Sequence, residues 1–259
     1  MRILIAATIM TMLNLGASSG VRAHHPEVAK PHIYATGWGI TLASDGSGFY
    51  NDFARFTLGP DSTENTYIVS PYKRAMRQFR NDKRACVYPK SVDVLIRTND
   101  WAVGDAFIES DAMMRSPIRI FSRQGVPAIS GTRNLKGLSL GYALGSRIPD
   151  SLGPIGAKYT PVADEVNKAK MLLLGTVDTI VANMPDAFFV FESLGSPLPA
   201  HDPNYDPVPV PRIRIVCHDT EANRNFIEAF NARLNMLTSG PEMANFMKKN
   251  RLDPSQFLP

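Results

Sequence analysis

Long apolar runs are almost missing from this chain. Beyond Leu15 no segment supplies the ~20 apolar residues that a membrane-spanning helix needs, which excludes α-helical membrane spans there. Basic excess is missing too: the formal charge of +4 falls to +2 once Arg2 and Arg22 leave with the leader described below, too small for a nucleic-acid footprint. Histidine is sparse and scattered. His24 and His25 stand together near the start, His201 lies in a proline-rich stretch and His218 sits beside Asp219, and none has metal-ligand spacing with another. No serine occupies a nucleophile elbow, and no repeat or low-complexity tract occurs. No catalytic machinery, metal or cofactor is therefore expected.

What is present begins at the first residues. Arg2 precedes an apolar run, Ile3 to Leu15, then small residues from Gly16 to Gly20, and Val21-Arg22-Ala23 fits a signal-peptidase site. Residues 1–23 read as a cleaved leader, with a mature chain starting near His24 in the periplasm. No cysteine sits near the cleavage point, so no lipid anchor is expected. The two cysteines, Cys86 and Cys217, lie in strand-like surroundings, and an exported chain reaches a compartment where disulfides persist. One bridge between them, or two buried thiols acting as small hydrophobes, are both open readings.

Strand and helix patterns alternate along the mature chain, which points to α/β architecture with mainly parallel sheets. Strands are expected at 32–36, 66–69, 85–88, 118–121, 135–144, 177–182 and 213–217. Helices are expected at 49–58, where Phe49, Phe53 and Phe56 share a face, and at 73–81, 162–174, 223–239 and 241–250. His218-Asp219-Thr220 reads as the cap of the helix that follows. Pro197 to Pro211 reads as a connector.

Several stretches, in this order, carry a likeness. They are Gly48-Phe49-Tyr50-Asn51-Asp52-Phe53, Pro71-Tyr72-Lys73-Arg74-Ala75, Leu135-Lys136-Gly137-Leu138-Ser139-Leu140-Gly141 with Gly145-Ser146, Gly175-Thr176-Val177-Asp178, and Phe230-Asn231-Ala232-Arg233-Leu234 with Ser239-Gly240. Together they resemble the type 2 periplasmic solute-binding proteins of ABC importers, in particular the amino-acid-binding branch. The resemblance implies a two-lobed fold with two hinge crossings, near 113–115 and 208–211. Lobe I would comprise 24–113 plus 211–259, and lobe II 114–210. It also implies a small-molecule ligand, a monomeric state and an ABC permease as partner.

In that family an arginine holds the ligand's carboxylate and an aspartate its ammonium group, because two buried charges without partners would be costly. The resemblance places Trp101 where the arginine would stand, in a frame set by Thr98 and Phe107, and Asn183 where the aspartate would stand, five residues after Asp178. An indole cannot fork onto a carboxylate, and an amide offers an ammonium ion only a dipole. An ordinary α-amino acid is therefore not the expected ligand. Trp38 and Trp101 would offer stacking faces to a small polar or aromatic solute, or fill cores. Gly145-Ser146-Arg147 would receive a polar or anionic group if a helix opens near Pro149; otherwise Arg147 is a solvated turn residue. Tyr72 and Arg74, at the start of a helix, complete the candidates; Arg74 as a stabiliser of that helix terminus alone, and Asn183 as a turn residue, are open readings. A sensory or accessory role on the same fold, and an enzyme built on a buried carboxylate dyad, are the alternatives.

Overall fold

The aromatic spacing at 49, 53 and 56 becomes one side of α1 (Phe49–Leu58) in the computed structural model, with Phe49 and Phe53 buried and Phe56 packed against them. The structure describes residues 30–59, 66–97, 101 and 106–259. The expected leader, the start near His24 and Thr98 lie outside the described residues.

Two mixed sheets organise the chain. The first contains β1 (Ile33–Gly37), β2 (Tyr67–Pro71), β3 (Cys86–Lys90), β4 (Phe107–Glu109), β5 (Met114–Arg115) and β10 (Arg212–His218), in the order β2-β1-β3-β10-β4, with β5 paired to β10. The second contains β6 (Ile118–Ser122), β7 (Ser139–Ala143), β8 (Lys158–Val162) and β9 (Thr179–Asn183), in the order β6-β9-β7-β8. Each has a parallel framework and one strand running against it, β10 in the first and β6 in the second. These are two lobes, and the chain leaves the first, builds the second and returns along β10.

Side-chain alternation separates the faces of the first sheet. Ile33, Ala35, Cys86, Tyr88, Ile215 and Cys217 point toward α1 and α7 (Glu221–Ser239), in an apolar core that continues into the second lobe. Tyr34, Val87 and Val216 point the other way, onto α2 (Tyr72–Asn81). Cys86 and Cys217 stand opposite each other on β3 and β10 and form a disulfide. Thr220 caps α7 by accepting the backbone N–H of Asn223 at 3.2 Å.

Several boundaries differ from expectation for local reasons. The expected strand 135–144 begins only at Ser139, because Thr132–Leu135 is a 3₁₀ turn and Gly137 takes a left-handed φ of 81°. The helix expected from Val162 starts at Glu165 as α5 (Glu165–Leu173), where Asp164 caps it. The preceding residues form β8, whose Pro161 is tolerated on the outer edge of the sheet. α3 (Val92–Arg97) and α6 (Asp186–Ser193) have no counterpart among the expected elements. A short α4 (Ile148–Leu152) does open near Pro149, and the chain ends in α8 (Glu242–Lys249) and α9 (Pro254–Phe257).

Candidate functional site

The register of the antiparallel strands fixes where the lobes meet. Ile118, the first residue of β6, lies opposite Asn183, the last residue of β9, and Arg214 on β10 lies opposite Lys90, the last residue of β3. Both crossings therefore run past the carboxyl ends of the parallel strands, the edge where open α/β sheets bind ligands. The crossings are also joined to each other: the Ser116 N–H donates to the Pro211 carbonyl at 2.9 Å, and Met114 and Arg115 pair with Ile213 and Arg212.

At that edge of the first lobe, the loop after β1 folds back so that Trp38 bridges Leu42 and Tyr50 N–H reaches the Thr41 carbonyl at 2.9 Å. Gly48 makes this fold possible. Its φ is 100°, and a side-chain carbon there would lie 2.4 Å from the Ile40 carbonyl oxygen. Half-buried Trp38 thereby meets Tyr50 edge-on, with ring centroids 5.3 Å apart.

Asp186, the first residue of α6, receives all three polar arms of that loop and helix. Trp38 Nε1 donates to its Oδ1 at 2.9 Å, the Thr41 hydroxyl donates to the same oxygen, and the Tyr50 hydroxyl donates to Oδ2 at 3.0 Å. Asp186 is 4% exposed and Tyr50 is fully buried. Burial pushes the Asp186 carboxyl above the ordinary carboxylate range, and the nearby Glu165 charge adds to this, while the three donors pull against it. The Tyr50 phenol is pushed well above its ordinary value, first by burial and then by the Asp186 charge.

The other candidates fall in separate places. Asn183 is exposed at the end of β9 and donates through Nδ2 to Ser116 Oγ at 3.2 Å, tying the second lobe to a crossing. Ser146 follows β7 at the same edge, and its hydroxyl is buried with no hydrogen-bond partner among the described residues. Beside it Gly145 has a φ of 87°, and Arg147 is exposed and paired with Asp150 at 2.7 Å. Tyr72 opens α2 at the facing edge of the first lobe, where Lys90 Nζ donates to its hydroxyl at 2.9 Å and lies 4.5 Å from its ring centre. Arg74 is exposed on the same helix.

Trp101 is not brought to this group. It packs with Phe79, Phe107 and His218 on the α2 face of the first sheet, with the Arg80 guanidinium 4.8 Å from its ring centre. Asp186, Thr41, Tyr50 and Ser116 are not among the candidates that the sequence offers. The available signal was an acidic residue opening a helix directly after the apolar strand β9. Among the described residues no cluster of His, Cys, Asp or Glu is arranged to hold a metal ion.

No protein-family model matches the chain, and no curated protein matches it by sequence. Solved structures do. The substrate-binding protein of an amino acid ABC transporter superposes with a TM-score of 0.60 at 13% identity, over 84% of this chain and 97% of that one. An ancestral amino-acid-binding protein, a precursor of cyclohexadienyl dehydratase, gives 0.61 at 12% identity, over 85% and 94%. The GluR0 ligand-binding core from Nostoc punctiforme, in complex with L-glutamate, gives 0.59 at 16% identity, over 85% and 98%.

The fold is that of a type 2 periplasmic solute-binding protein. In periplasmic binding proteins two lobes close around a ligand by bending at a few connecting residues. In this solute-binding fold Trp38, Tyr72, Ser146 and Asn183 stand at the facing edges of the lobes, and Asp186 links one edge to the other.

Proposed function

We propose that this chain is a periplasmic solute-binding protein that captures a small polar or aromatic solute between its lobes and delivers it to an ABC importer. Lobe I is assigned 24–113 plus 211–259, and lobe II 114–210. The observation that carries the reading is the waist: the two crossings that join the lobes are hydrogen-bonded to each other, beside facing strand ends that present polar and aromatic side chains. Movement at this waist lets a solute shift an existing equilibrium between open and closed forms. The unpartnered Ser146 hydroxyl in lobe II, and Trp38 and Tyr72 in lobe I, are the proposed contacts. Gly145, Arg147 and Asn183 would add polar contacts.

The solute is not an ordinary α-amino acid on this reading, since Asn183 supplies an amide where the amino-acid-binding branch has a carboxylate. The leader at 1–23 directs export, and among the described residues no helix is long and apolar enough to cross a membrane. Delivery would be to a permease, with the protein acting as a monomer. The test is a thermal-shift screen of refolded, ligand-stripped protein against amino acids, organic acids, aromatic acids and oligopeptides. A ligand that binds the native state at 100 times its Kd adds about 2.7 kcal/mol of stability, a visible rise in melting temperature. A rise with organic or aromatic acids supports the proposal; a response to α-amino acids alone contradicts the ligand class, and no response from any solute contradicts the binding role.

The likeness to the GluR0 ligand-binding core favours one second reading, a ligand sensor on the same fold. A neighbouring histidine-kinase gene in place of permease and ATPase genes would select it.

A further inference from the structure

Lobes that clamp a solute ordinarily need the solute to bridge them. Here α6 of lobe II already makes bridges of its own, along its whole length. Asp186 accepts from Trp38, Thr41 and Tyr50 of lobe I. Three residues on, Phe189 stacks against Phe49 of α1, with centroids 5.3 Å apart and planes inclined by 26°. On the flank, Phe188 lies under the Arg251 guanidinium at 5.3 Å, and Glu192 pairs with the same guanidinium. Residues 186 and 189, and 188 and 192, are neighbours on a helix surface, so one short helix presents two rows of contacts to lobe I. Its leading carboxylate accepts from three donors, of which the Thr41 and Tyr50 hydroxyls are buried.

We infer that α6 is a closing latch with Asp186 as its pin, holding the lobes together before any solute arrives. This rests on the proposed solute-binding role and deepens it. Asp186 is then a positioning residue: it sets the closed fraction of the empty protein, and the apparent affinity for a solute scales with that fraction. An opening that carries α6 away from α1 breaks these bonds, so the latch favours the closed form. It also resists opening, and a solute must enter during the brief excursions when the three bonds are broken.

The experiment needs no ligand. Single cysteines replacing the exposed Arg77 of α2 and Lys158 of β8 carry spin labels on the two lobes, and the distance between them is measured in the empty full-length protein with its native disulfide intact. The expected result is a short, narrow distribution for the otherwise native protein and a longer one for Asp186→Asn. The ratio of open to closed forms should rise about tenfold, the scale of one hydrogen bond to a charged group. Tyr50→Phe, which removes one donor at constant shape, should move it part of the way. If Asp186→Asn does not fold, Tyr50→Phe and Thr41→Val carry the test. Coincident distributions for the native protein and every variant that folds would overturn the latch, as would an empty native protein that is already open. A chain that binds no solute sinks the proposed function but leaves these distances unaffected, so the two failures are told apart.

Discussion

The two lobes follow one plan and are secured by different chemistry. Lobe I is closed by a strand that arrives late: β10 inserts between β3 and β4 only after the chain has built the whole of lobe II, and the Cys86–Cys217 disulfide spans a sequence separation of 131. Lobe II is one continuous stretch of chain and contains no cysteine. It relies on charged ties. Asp178 accepts the Ser139 N–H at 2.9 Å, the Ser139 hydroxyl at 2.8 Å and Arg123 Nε at 3.0 Å, and Arg119 on β6 pairs with Asp206 of the proline-rich connector. The covalent bond marks where the chain most needs help. Closing a long loop to seat β10 carries the larger entropic cost, and the covalent bond sits where that cost falls.

Removing the bond should give the largest effect. Cys86→Ala together with Cys217→Ala is expected to destabilise the protein by about 2–5 kcal/mol. Urea unfolding with and without reductant measures it, and an unchanged midpoint would erase the contrast between the lobes. Next comes Arg119→Met. Loss of a nearly buried ion-pair partner should cost about 1–3 kcal/mol and loosen the connector, read as faster amide exchange between 197 and 211.

The pH dependence sharpens the contrast further, because carboxylates at the two ends of β9 titrate in opposite senses. The Ser139 backbone N–H, then its hydroxyl, and Arg123 hold Asp178 below the usual carboxylate range. Its contribution is full above the unfolded value of about 3.9 and is lost as pH falls through the lower folded value. Asp186 is raised by burial, so its contribution is full below about 3.9 and is lost as pH rises through the higher folded value. Urea midpoints followed from pH 3 to 8 should therefore lose acid sensitivity in Asp178→Asn and gain stability toward high pH, relative to the parent, in Asp186→Asn. Curves that stay parallel would contradict the assignment. The smallest effect belongs to Arg147→Ala, whose exposed pair with Asp150 is worth within about 0.5 kcal/mol. A loss of solute affinity without a change in melting temperature would then mark Arg147 as a ligand contact.

The parts of the fold that sequence disclosed are those where one local pattern dominates. The phenylalanine spacing of α1 gave both ends of that helix, and the apolar run around 177–182 gave β9 to within two residues. Elements were missed where a local signal contradicts the global arrangement. Pro161 argues against a strand, yet it is accommodated because β8 is the sheet's outer member. Met184-Pro185 looks like a turn that ends order, and a helix starts immediately after it. At the site, Trp38 was legible as an aromatic side chain in a loop after a strand. Its partner was not, because Asp186 lies 148 residues further on and no spacing rule reaches that far. Trp101 shows the limit of counting along a family frame: the count fits, and the chain carries the ring to the face packed on α2.

On the proposed function the lobes move about the two crossings and close on a solute. The most direct test is the label-to-label distance between positions 77 and 158 in the Asp186→Asn protein, titrated with whichever solute raises the melting temperature. A long population that converts, with saturation, to the short distance of the native protein is expected. A single distance that does not change while the solute is bound would contradict it.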